Sequence, residues 1–331
     1  MTILVTGSAG HLGEALVRRL QADGRDVRGL DIKPSPHTHL IGSIHDEAFV
    51  RDAMSGITHV IHSATLHKPH VATHSKRDFV DTNMGGTVAL LEAAVAQRVR
   101  SFVFTSTTSA FGAALSPAPG EPSAWIDEDV LPVPKNIYGA TKTAAEGMCE
   151  LVARKDRLPV LVLRTSRFFP EDDDNAHVRS EYDTANMQAN ELLYRRADIE
   201  DIVEAHLAAL ERAPSLKFGR YIVSATTPFS RGDVAELRED AAAVVRRLFP
   251  DVDALYAGRG WKLLPSLDRV YDSHRATRDL GWQPKRDFAF VLECLRRGED
   301  FRSEIARAIG VKGYHDTVFV HGPYPVLDTP R

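Results

Sequence analysis

The sequence has little of what marks secreted, membrane-spanning or nucleic-acid-binding proteins. Only two of its 331 residues are cysteines, so a disulfide framework is implausible and a reducing, cytoplasmic location is predicted. Lys and Arg number 41 against 45 Asp and Glu, and this net charge of −4 excludes a dedicated nucleic-acid-binding protein. The longest apolar runs are short, so no segment is predicted to span a membrane. No basic leader follows Met1, so no secretion signal is expected.

Composition and length instead indicate a folded, soluble protein. Hydrophobic residues make up 43% of the chain and charged residues 26%, which is ordinary for a globular protein and disfavours disorder. The length is about twice the usual size of one domain. One large α/β unit with a second lobe and two separate domains are therefore both open.

Short β-branched runs alternate with helical stretches in the first half of the chain. Parallel strands need long crossover connections that pack on the sheet, so this alternation predicts an α/β fold with a doubly wound parallel sheet. The predicted strands are 3–6, 27–31, 59–62, 102–105 and 160–164, and the predicted helices are 12–20, 80–95 and 138–152.

Beyond residue 165 the alternation weakens, which predicts a smaller C-terminal lobe. We expect helices at 231–248 and 287–297, and a surface loop at 115–135, where Pro, Ser and acidic residues are frequent. The expected organisation is a nucleotide-binding domain of 1–165 plus about 196–225, a substrate-binding lobe of about 166–195 and 228–305, and an extended tail of 306–331.

A glycine-rich loop connects the first predicted strand to the first predicted helix. In residues 6–13 (TGSAGHLG), Gly7 allows a tight turn, Gly10 allows close approach of a pyrophosphate, and Gly13 allows the helix to pack on the strand. The N-terminus of the helix then offers N–H groups to the anion. A dinucleotide site is the favoured interpretation, and an ordinary glycine-rich turn is the alternative.

Asp31 ends the second predicted strand and bears on which dinucleotide is bound. A carboxylate at this place accepts hydrogen bonds from the adenosine ribose and repels a 2′-phosphate, which favours NAD over NADP. The neighbouring Lys33 weakens that preference, and a turn-capping role for Asp31 is the alternative.

A tyrosine and a lysine four residues apart begin the helix at 138–152. Tyr138 and Lys142 share one face of this helix, so the ammonium and an oxidised nicotinamide would both favour the phenolate and lower the tyrosine pKa towards the working pH. The hydroxyl cluster 105–109 (TSTTS) ends a buried strand, where ligands bind in such sheets. Together they predict proton transfer by Tyr138 coupled to hydride transfer.

Taken together, these motifs resemble those of the extended short-chain dehydrogenases/reductases, and most of all the NAD-dependent epimerase/dehydratase group, over residues 1–305. Further segments resemble the family's interface helix, a segment leading into a helix, and a late turn. They are 81–94 (DTNMGGTVALLEAA), 196–206 (RADIEDIVEAH) and 279–284 (DLGWQP). The resemblance implies a Rossmann fold, an NAD cofactor and a homodimer formed through helices at 83–98 and 138–154.

The resemblance also implies the roles of individual residues. Tyr138 would be the acid/base, Lys142 its partner, and Thr107 the catalytic hydroxyl, counted back four positions from Phe111; Ser106 is the fallback. Ser43 departs from the family, which usually has an acidic residue there. The implied cofactor-binding residues are Gly7, Gly10, His11, Leu12, Gly13, Asp31, Ser43, Ile44, Ser63, Ala64, Thr65, Asn83, Thr105, Tyr138, Lys142 and Thr165.

At two places the sequence departs from the family, and each departure limits the reactions or substrates that we expect. Thr108 and Ser109 stand where sugar-nucleotide dehydratases have an Asp-Glu pair, so elimination chemistry is not expected. Arg167 stands where nucleotide-sugar epimerases have an asparagine, which favours an anionic substrate held by a guanidinium. A salt bridge from Arg167 to the acidic run 171–174 is the alternative.

Three histidines follow Thr65 at helical spacing. His67, His70 and His74 would share a face of a helix, but Pro69 interrupts it and no nearby Cys or carboxylate completes a ligand set, so no metal is expected. His67 is a candidate substrate contact, together with Thr108, Ser109 and Arg167.

The sequence thus predicts an NAD-dependent oxidoreductase that acts on a secondary alcohol of a sugar or sugar-acid-like substrate, as a dehydrogenase or an epimerase. A nucleotide-sugar 4-epimerase is one alternative. A non-catalytic NAD(P)-binding sensor or scaffold is the other, although such proteins commonly lose the tyrosine or the lysine. The expected partners are a small-molecule substrate and a second copy of the chain, with no nucleic acid and no membrane.

Overall fold

The computed structural model describes residues 1–313 together with His315, Phe319, Tyr324 and Pro325. Its centre is a seven-stranded parallel sheet with the order β3-β2-β1-β4-β5-β7-β8, and β6 and β9 form a separate parallel pair. This architecture confirms the predicted doubly wound α/β fold. The strands are β1 Thr2–Thr6, β2 Asp26–Asp31, β3 Leu40–Ile41, β4 His59–His62, β5 Ser101–Thr107, β6 Ala124–Ile126, β7 Val160–Thr165, β8 Phe218–Val223 and β9 Arg269–Tyr271.

Helices cover both faces of the sheet and build the C-terminal lobe. They are α1 His11–Ala22, α2 Glu47–Ala53, α3 Lys76–Phe79, α4 Gly86–Ala96, α5 Ile137–Lys155, α6 Ala176–Glu181, α7 Thr184–Glu191, α8 Ile199–Leu216, α9 Val234–Leu248, α10 Val252–Ala257, α11 His274–Leu280, α12 Phe288–Arg297 and α13 Glu304–Ile309. No helix among the described residues is long and apolar enough to cross a bilayer.

The sheet is stable because its strands send apolar side chains to both faces. In β1, Ile3 and Val5 pack with α1 and α8, whereas Leu4 between them packs with the layer of α2, α4 and α5. Every residue of the central strand β5 is buried, as expected for a parallel strand covered on both sides. A third apolar cluster, which contains Leu192, Val244, Val270 and Phe288, forms the core of the C-terminal lobe.

The order of the strands creates a crevice between β1 and β4. After β1 the chain moves outwards through β2 and β3, and then returns to place β4 on the other side of β1. The connections therefore leave in opposite directions at the carboxyl ends of these two strands, which is where ligands bind in open α/β sheets. The glycine loop lies at this place.

Three segments differ in detail from the sequence-based prediction. The predicted helix 80–95 is the later part of a longer helical segment, in which a π-helical stretch at Val80–Gly85 joins α3 to α4. The predicted loop 115–135 contains the short strand β6. Helix α13 occupies the start of the predicted extended tail, and most of that tail after 313 lies outside the described residues.

Candidate active site

The glycine loop has the backbone geometry that its sequence predicts. Gly7 has a φ of +76°, and a Cβ there would lie 2.8 Å from the Ala64 nitrogen. A Cβ on Gly13 would lie 1.9 Å from the Gly7 oxygen, so only glycine lets α1 approach the loop this closely. Gly10 caps α1 without a side-chain acceptor, which leaves N–H groups of the first turn for an anion. This cradle fits a dinucleotide diphosphate.

Asp31 lies at the end of β2 and braces the loop. Its Oδ2 accepts a hydrogen bond from the Ala9 N–H at 3.0 Å, and its Oδ1 accepts one from the Lys33 N–H at 2.9 Å. The carboxylate is thus fixed beside the place expected for the adenosine ribose. Further along, Ile44 is buried, and Ser43 shares a hydrogen bond of 3.0 Å with His45.

The predicted catalytic residues meet at the carboxyl end of β5. Asn136 caps α5 by accepting a hydrogen bond from the Gly139 N–H, and this places Tyr138 in the first turn of the helix. The Thr107 side chain interacts with the Tyr138 hydroxyl and favours its phenolate form. One turn later, the Lys142 ammonium donates a hydrogen bond of 2.5 Å to the Thr105 carbonyl oxygen. The hydroxyls of Tyr138 and Thr107 can therefore act on one substrate oxygen, with the Lys142 ammonium one turn away.

Burial shifts the pKa values of both Tyr138 and Lys142. Burial raises the pKa of Tyr138 to about 12, and the interaction with Thr107 offsets only part of that rise. Burial also lowers the pKa of Lys142 to about 7, although the negative charge of Glu146 acts in the opposite direction. Loss of solvent dominates at both groups, and the predicted lowering of the tyrosine pKa by the lysine and an oxidised nicotinamide stays a prediction for the complex with NAD.

Asn83 organises the site without facing its cavity. Its side chain accepts hydrogen bonds from the Thr65 hydroxyl and the Leu66 N–H, and donates to the Leu66 oxygen and the Thr141 hydroxyl. It lies in the π-helical stretch, a type of local distortion that is frequent at functional sites. The residue holds the loop after β4 against α5, and so positions the site rather than lining it.

A buried ion pair lies directly beneath the catalytic residues. Glu146 accepts a hydrogen bond of 2.6 Å from the Ser106 hydroxyl and is paired with Arg164, whose Nη2 is 2.7 Å away. Arg220 approaches the same carboxylate at 3.4 Å. Because the Ser106 hydroxyl is engaged with Glu146, Thr107 is the better candidate for the catalytic hydroxyl than the fallback Ser106.

The substrate end of the site carries the predicted polar residues, but Arg167 is already paired. Its Nη1 lies 2.9 Å from Asp173 and 3.7 Å from Glu191, so the salt bridge to the acidic run forms in this structure. The Thr108 hydroxyl donates a long hydrogen bond of 3.4 Å to the Thr165 oxygen. An anionic substrate would therefore compete with Asp173 for Arg167.

The histidines after β4 form a ring cluster at the edge of the site. The ring of His67 is 4.8 Å from that of His70, which lies 5.0 Å from His74 and 5.2 Å from His315. The His67 ring also lies 6.5 Å from Tyr138, and burial holds the pKa of this imidazole well below its usual range. In the described part of the chain, no three His, Cys, Asp or Glu side chains are arranged to hold a metal ion.

One cavity of about 870 Å³ brings these residues together. Apart from Asn83, each predicted site residue lines it, from the glycine loop and Asp31 through Ser63, Ala64 and Thr65 to Tyr138, Thr165 and Arg167. Six further lining residues were not predicted from the sequence, since no local motif marks them. They are Phe169, Arg195, Arg269, Tyr271, Lys312 and Tyr324.

Comparisons with known proteins point to one family. Residues 3–223 match the model of the NAD dependent epimerase/dehydratase family. The chain is 34% identical to the uncharacterized protein y4nG of Sinorhizobium fredii, but the match covers 49% of this chain and 40% of that protein. It is 27% identical to a UDP-glucose 4-epimerase of Streptomyces lividans, over 88% of this chain and 94% of the other.

A solved structure shows the same fold. A short-chain dehydrogenase/reductase superfamily protein from Agrobacterium tumefaciens, crystallised with NAD, superimposes with a TM-score of 0.64 at 24% identity. The alignment covers 90% of this chain and 98% of that protein. The similarity therefore extends through the C-terminal lobe as well as the sheet.

Proposed function

The chain belongs to the NAD dependent epimerase/dehydratase family, and we propose that it uses NAD to oxidise or epimerise a secondary alcohol of a sugar or sugar-acid-like substrate. The observation that carries this proposal is the placement of Tyr138 beside the Thr107 side chain, with Lys142 one turn along the same helix. The three residues line a cavity that also contains the glycine loop.

Different residues of the chain would bind different parts of NAD. Gly7, Gly10 and Gly13 leave room for the diphosphate of NAD at the N-terminus of α1, and Asp31 would accept hydrogen bonds from its adenosine ribose. When bound, NAD accepts the hydride that leaves the carbinol carbon. NAD is favoured over NADP because the Asp31 carboxylate would repel a 2′-phosphate.

We assign the proton transfer to Tyr138. Its phenolic oxygen would take the proton of the substrate hydroxyl during oxidation and return it during reduction, while the Thr107 hydroxyl holds the same oxygen. Lys142, when protonated, would stabilise the phenolate through its positive charge. Because burial raises the pKa of Tyr138 to about 12, the tyrosine needs such a charge to act as a base near neutral pH.

Tyr138→Phe tests this assignment. The variant keeps the ring and its packing but loses the hydroxyl, so we expect turnover to fall by about two to four orders of magnitude while NAD affinity is preserved. Turnover would be followed with a panel of sugars, sugar acids and nucleotide sugars, and NAD affinity by titration calorimetry. Unchanged turnover would contradict the role of Tyr138.

Two reaction outcomes share this chemistry. A dehydrogenase releases the ketone and accumulates NADH, whereas an epimerase returns the hydride to the other face and exchanges isomers without net redox change. The nucleotide-sugar 4-epimerase alternative is supported by the alignment over 94% of the Streptomyces lividans enzyme. Parallel measurement of NADH absorbance and of product isomers distinguishes the two. The intact pair of Tyr138 and Lys142 disfavours the non-catalytic sensor.

Four residues are proposed to contact the substrate. Thr108 and Ser109 follow the candidate catalytic threonine, and His67 and Arg167 line the same cavity. For Arg167 to hold an anionic group, that group must displace Asp173 or share the guanidinium with it. Arg167→Ala should therefore raise KM for an acidic substrate far more than for its uncharged analogue, and an equal rise for both would remove Arg167 as the anion ligand.

The proposed location is the cytoplasm, and the proposed assembly is a homodimer through α4 and α5. Leu151 on α5 is 42% exposed, and Val80, just before α4, is 36% exposed, so both helical segments present apolar side chains to solvent. Leu151→Arg should convert the dimer to a monomer in light scattering after gel filtration. A wild-type chain that is already monomeric would contradict this assembly.

A further inference from the structure

The last described stretch of the chain returns to the glycine loop. Lys312 and Gly313 line the cavity, although they lie about 300 positions after that loop in the sequence. The Lys312 ammonium donates a hydrogen bond of 2.9 Å to the Ala9 carbonyl oxygen and lies 2.5 Å from the Glu14 carboxylate. Its backbone N–H approaches Glu171, which is also 2.8 Å from His11. The segment is thus fixed against both the loop and the first turn of α1.

Glu14 does not depend on Lys312 alone for charge compensation. The Arg18 guanidinium, one turn along α1, donates a hydrogen bond of 2.7 Å to the same carboxylate, and His37 lies 3.6 Å from it. A second anion close by could therefore share the Lys312 charge without leaving Glu14 unpaired. The Lys312 side chain keeps 22% of its surface exposed, so it is not locked in the protein interior.

The glycine loop itself supplies no lysine or arginine, and its histidine, His11, lies 2.8 Å from the Glu171 carboxylate. Residues 6–13 contain neither Lys nor Arg, so the diphosphate of a dinucleotide would be met there by backbone N–H groups and the positive end of α1. A lysine ammonium adds a full charge and three donors. We propose that Lys312 is a ligand of the cofactor diphosphate, supplied to the Rossmann sheet from the C-terminal segment.

This inference rests on the proposed function, because it requires that the chain bind NAD. The test measures dissociation constants of wild-type protein, Lys312→Ala and Lys312→Arg for NAD, ADP-ribose and adenosine by calorimetry. Lys155→Ala, at an exposed lysine outside the cavity, is the matched control. Thermal unfolding without ligand reports whether each variant is folded.

Lys312→Ala loses one charge-assisted hydrogen bond, so its affinities for NAD and ADP-ribose should fall by the same factor, roughly tenfold to a hundredfold. Its affinity for adenosine should be unchanged. Lys312→Arg should retain most of the affinity, and Lys155→Ala all of it. If Lys312→Ala binds NAD as wild type does, or weakens adenosine equally, the inference is wrong.

A double variant separates diphosphate binding from simple neutralisation of Glu14. If Lys312 contacts the diphosphate, Lys312→Ala still weakens NAD in a Glu14→Gln background. If it only cancels the charge of Glu14, the double variant regains wild-type affinity, and the inference fails. Wild-type protein that does not bind NAD at all would contradict the proposed function itself, which is a different result from any of these.

Discussion

Replacing Glu146 with glutamine would remove one charge from the buried ion pair beneath the catalytic residues. The side chain of Glu146 is 2% exposed and that of its partner Arg164 is 4% exposed. Glutamine preserves the volume and can still accept the Ser106 hydrogen bond, so the loss is mainly the negative charge. Breaking a buried pair by removing one partner costs about 3–5 kcal/mol, because the other charge stays buried and uncompensated. We expect a loss of this size in the free energy of unfolding.

Urea unfolding at equilibrium measures this loss, with two comparisons. Glu146→Met combined with Arg164→Met removes both charges and should cost much less than the single variant. Asp253→Asn breaks the exposed pair with Arg246, and should change stability little because solvent already screens those charges. A loss of less than about 1 kcal/mol in the free energy of unfolding of Glu146→Gln would contradict this expectation. A double variant as unstable as the single variant would contradict it too.

Glu146→Gln should also change the pH dependence of the reaction. The charge of Glu146 opposes the lowering of the Lys142 pKa, so its removal should move that pKa further below about 7. Less of the lysine is then protonated at neutral pH. We expect the variant to lose more activity near neutral pH than in mildly acidic solution, and parallel pH profiles for variant and wild type would contradict this coupling.

Three further predictions test other parts of the site. Gly13→Ala would place a Cβ 1.9 Å from the Gly7 oxygen. Calorimetry should therefore detect no binding of NAD, and the midpoint of thermal unfolding should fall. A variant that binds NAD and unfolds as the wild type does would show that α1 can move away from the loop. Asp31→Ser should weaken the binding of NAD by roughly tenfold or more, and should remove the repulsion between the Asp31 carboxylate and the 2′-phosphate of NADP. An unchanged ratio of the affinities for NAD and NADP would rule out a contact between Asp31 and the ribose. Burial lowers the pKa of Lys142 to about 7, whereas the pKa of a lysine in the unfolded chain is about 10.4. Between pH values of about 7 and 10.4, the unfolded state therefore binds more protons than the folded state. Stability should rise with pH across that window relative to Lys142→Met, and equal slopes of unfolding free energy against pH would contradict the shift.

Local patterns were enough to predict the parts of the site that depend on short stretches of chain. The glycine loop, Asp31 and the pair of Tyr138 and Lys142 each combine a few neighbouring residues with one predicted strand or helix. The fold followed from the alternation of such elements, because parallel strands restrict the possible connections. These features needed no knowledge of distant contacts.

The features that the sequence left open depend on residues far apart in the chain. The Ser106 hydroxyl donates to Glu146, 40 positions later, and only the packing of α5 on β5 makes Thr107 a better candidate than Ser106 for the catalytic hydroxyl. The choice between substrate and salt bridge for Arg167 depends on where the acidic loop folds back. Lys312 carries no motif, and its proposed role follows from its contacts with Ala9 and Glu14, about 300 positions earlier in the chain.

We propose above all that Tyr138 transfers the proton while hydride moves to or from NAD beside it. A crystal structure of the protein with NAD tests this most directly. We predict that the nicotinamide C4 atom faces the hydroxyls of Tyr138 and Thr107, with the diphosphate at the N-terminus of α1. A nicotinamide placed away from Tyr138, or NAD bound outside the crevice between β1 and β4, would contradict the account.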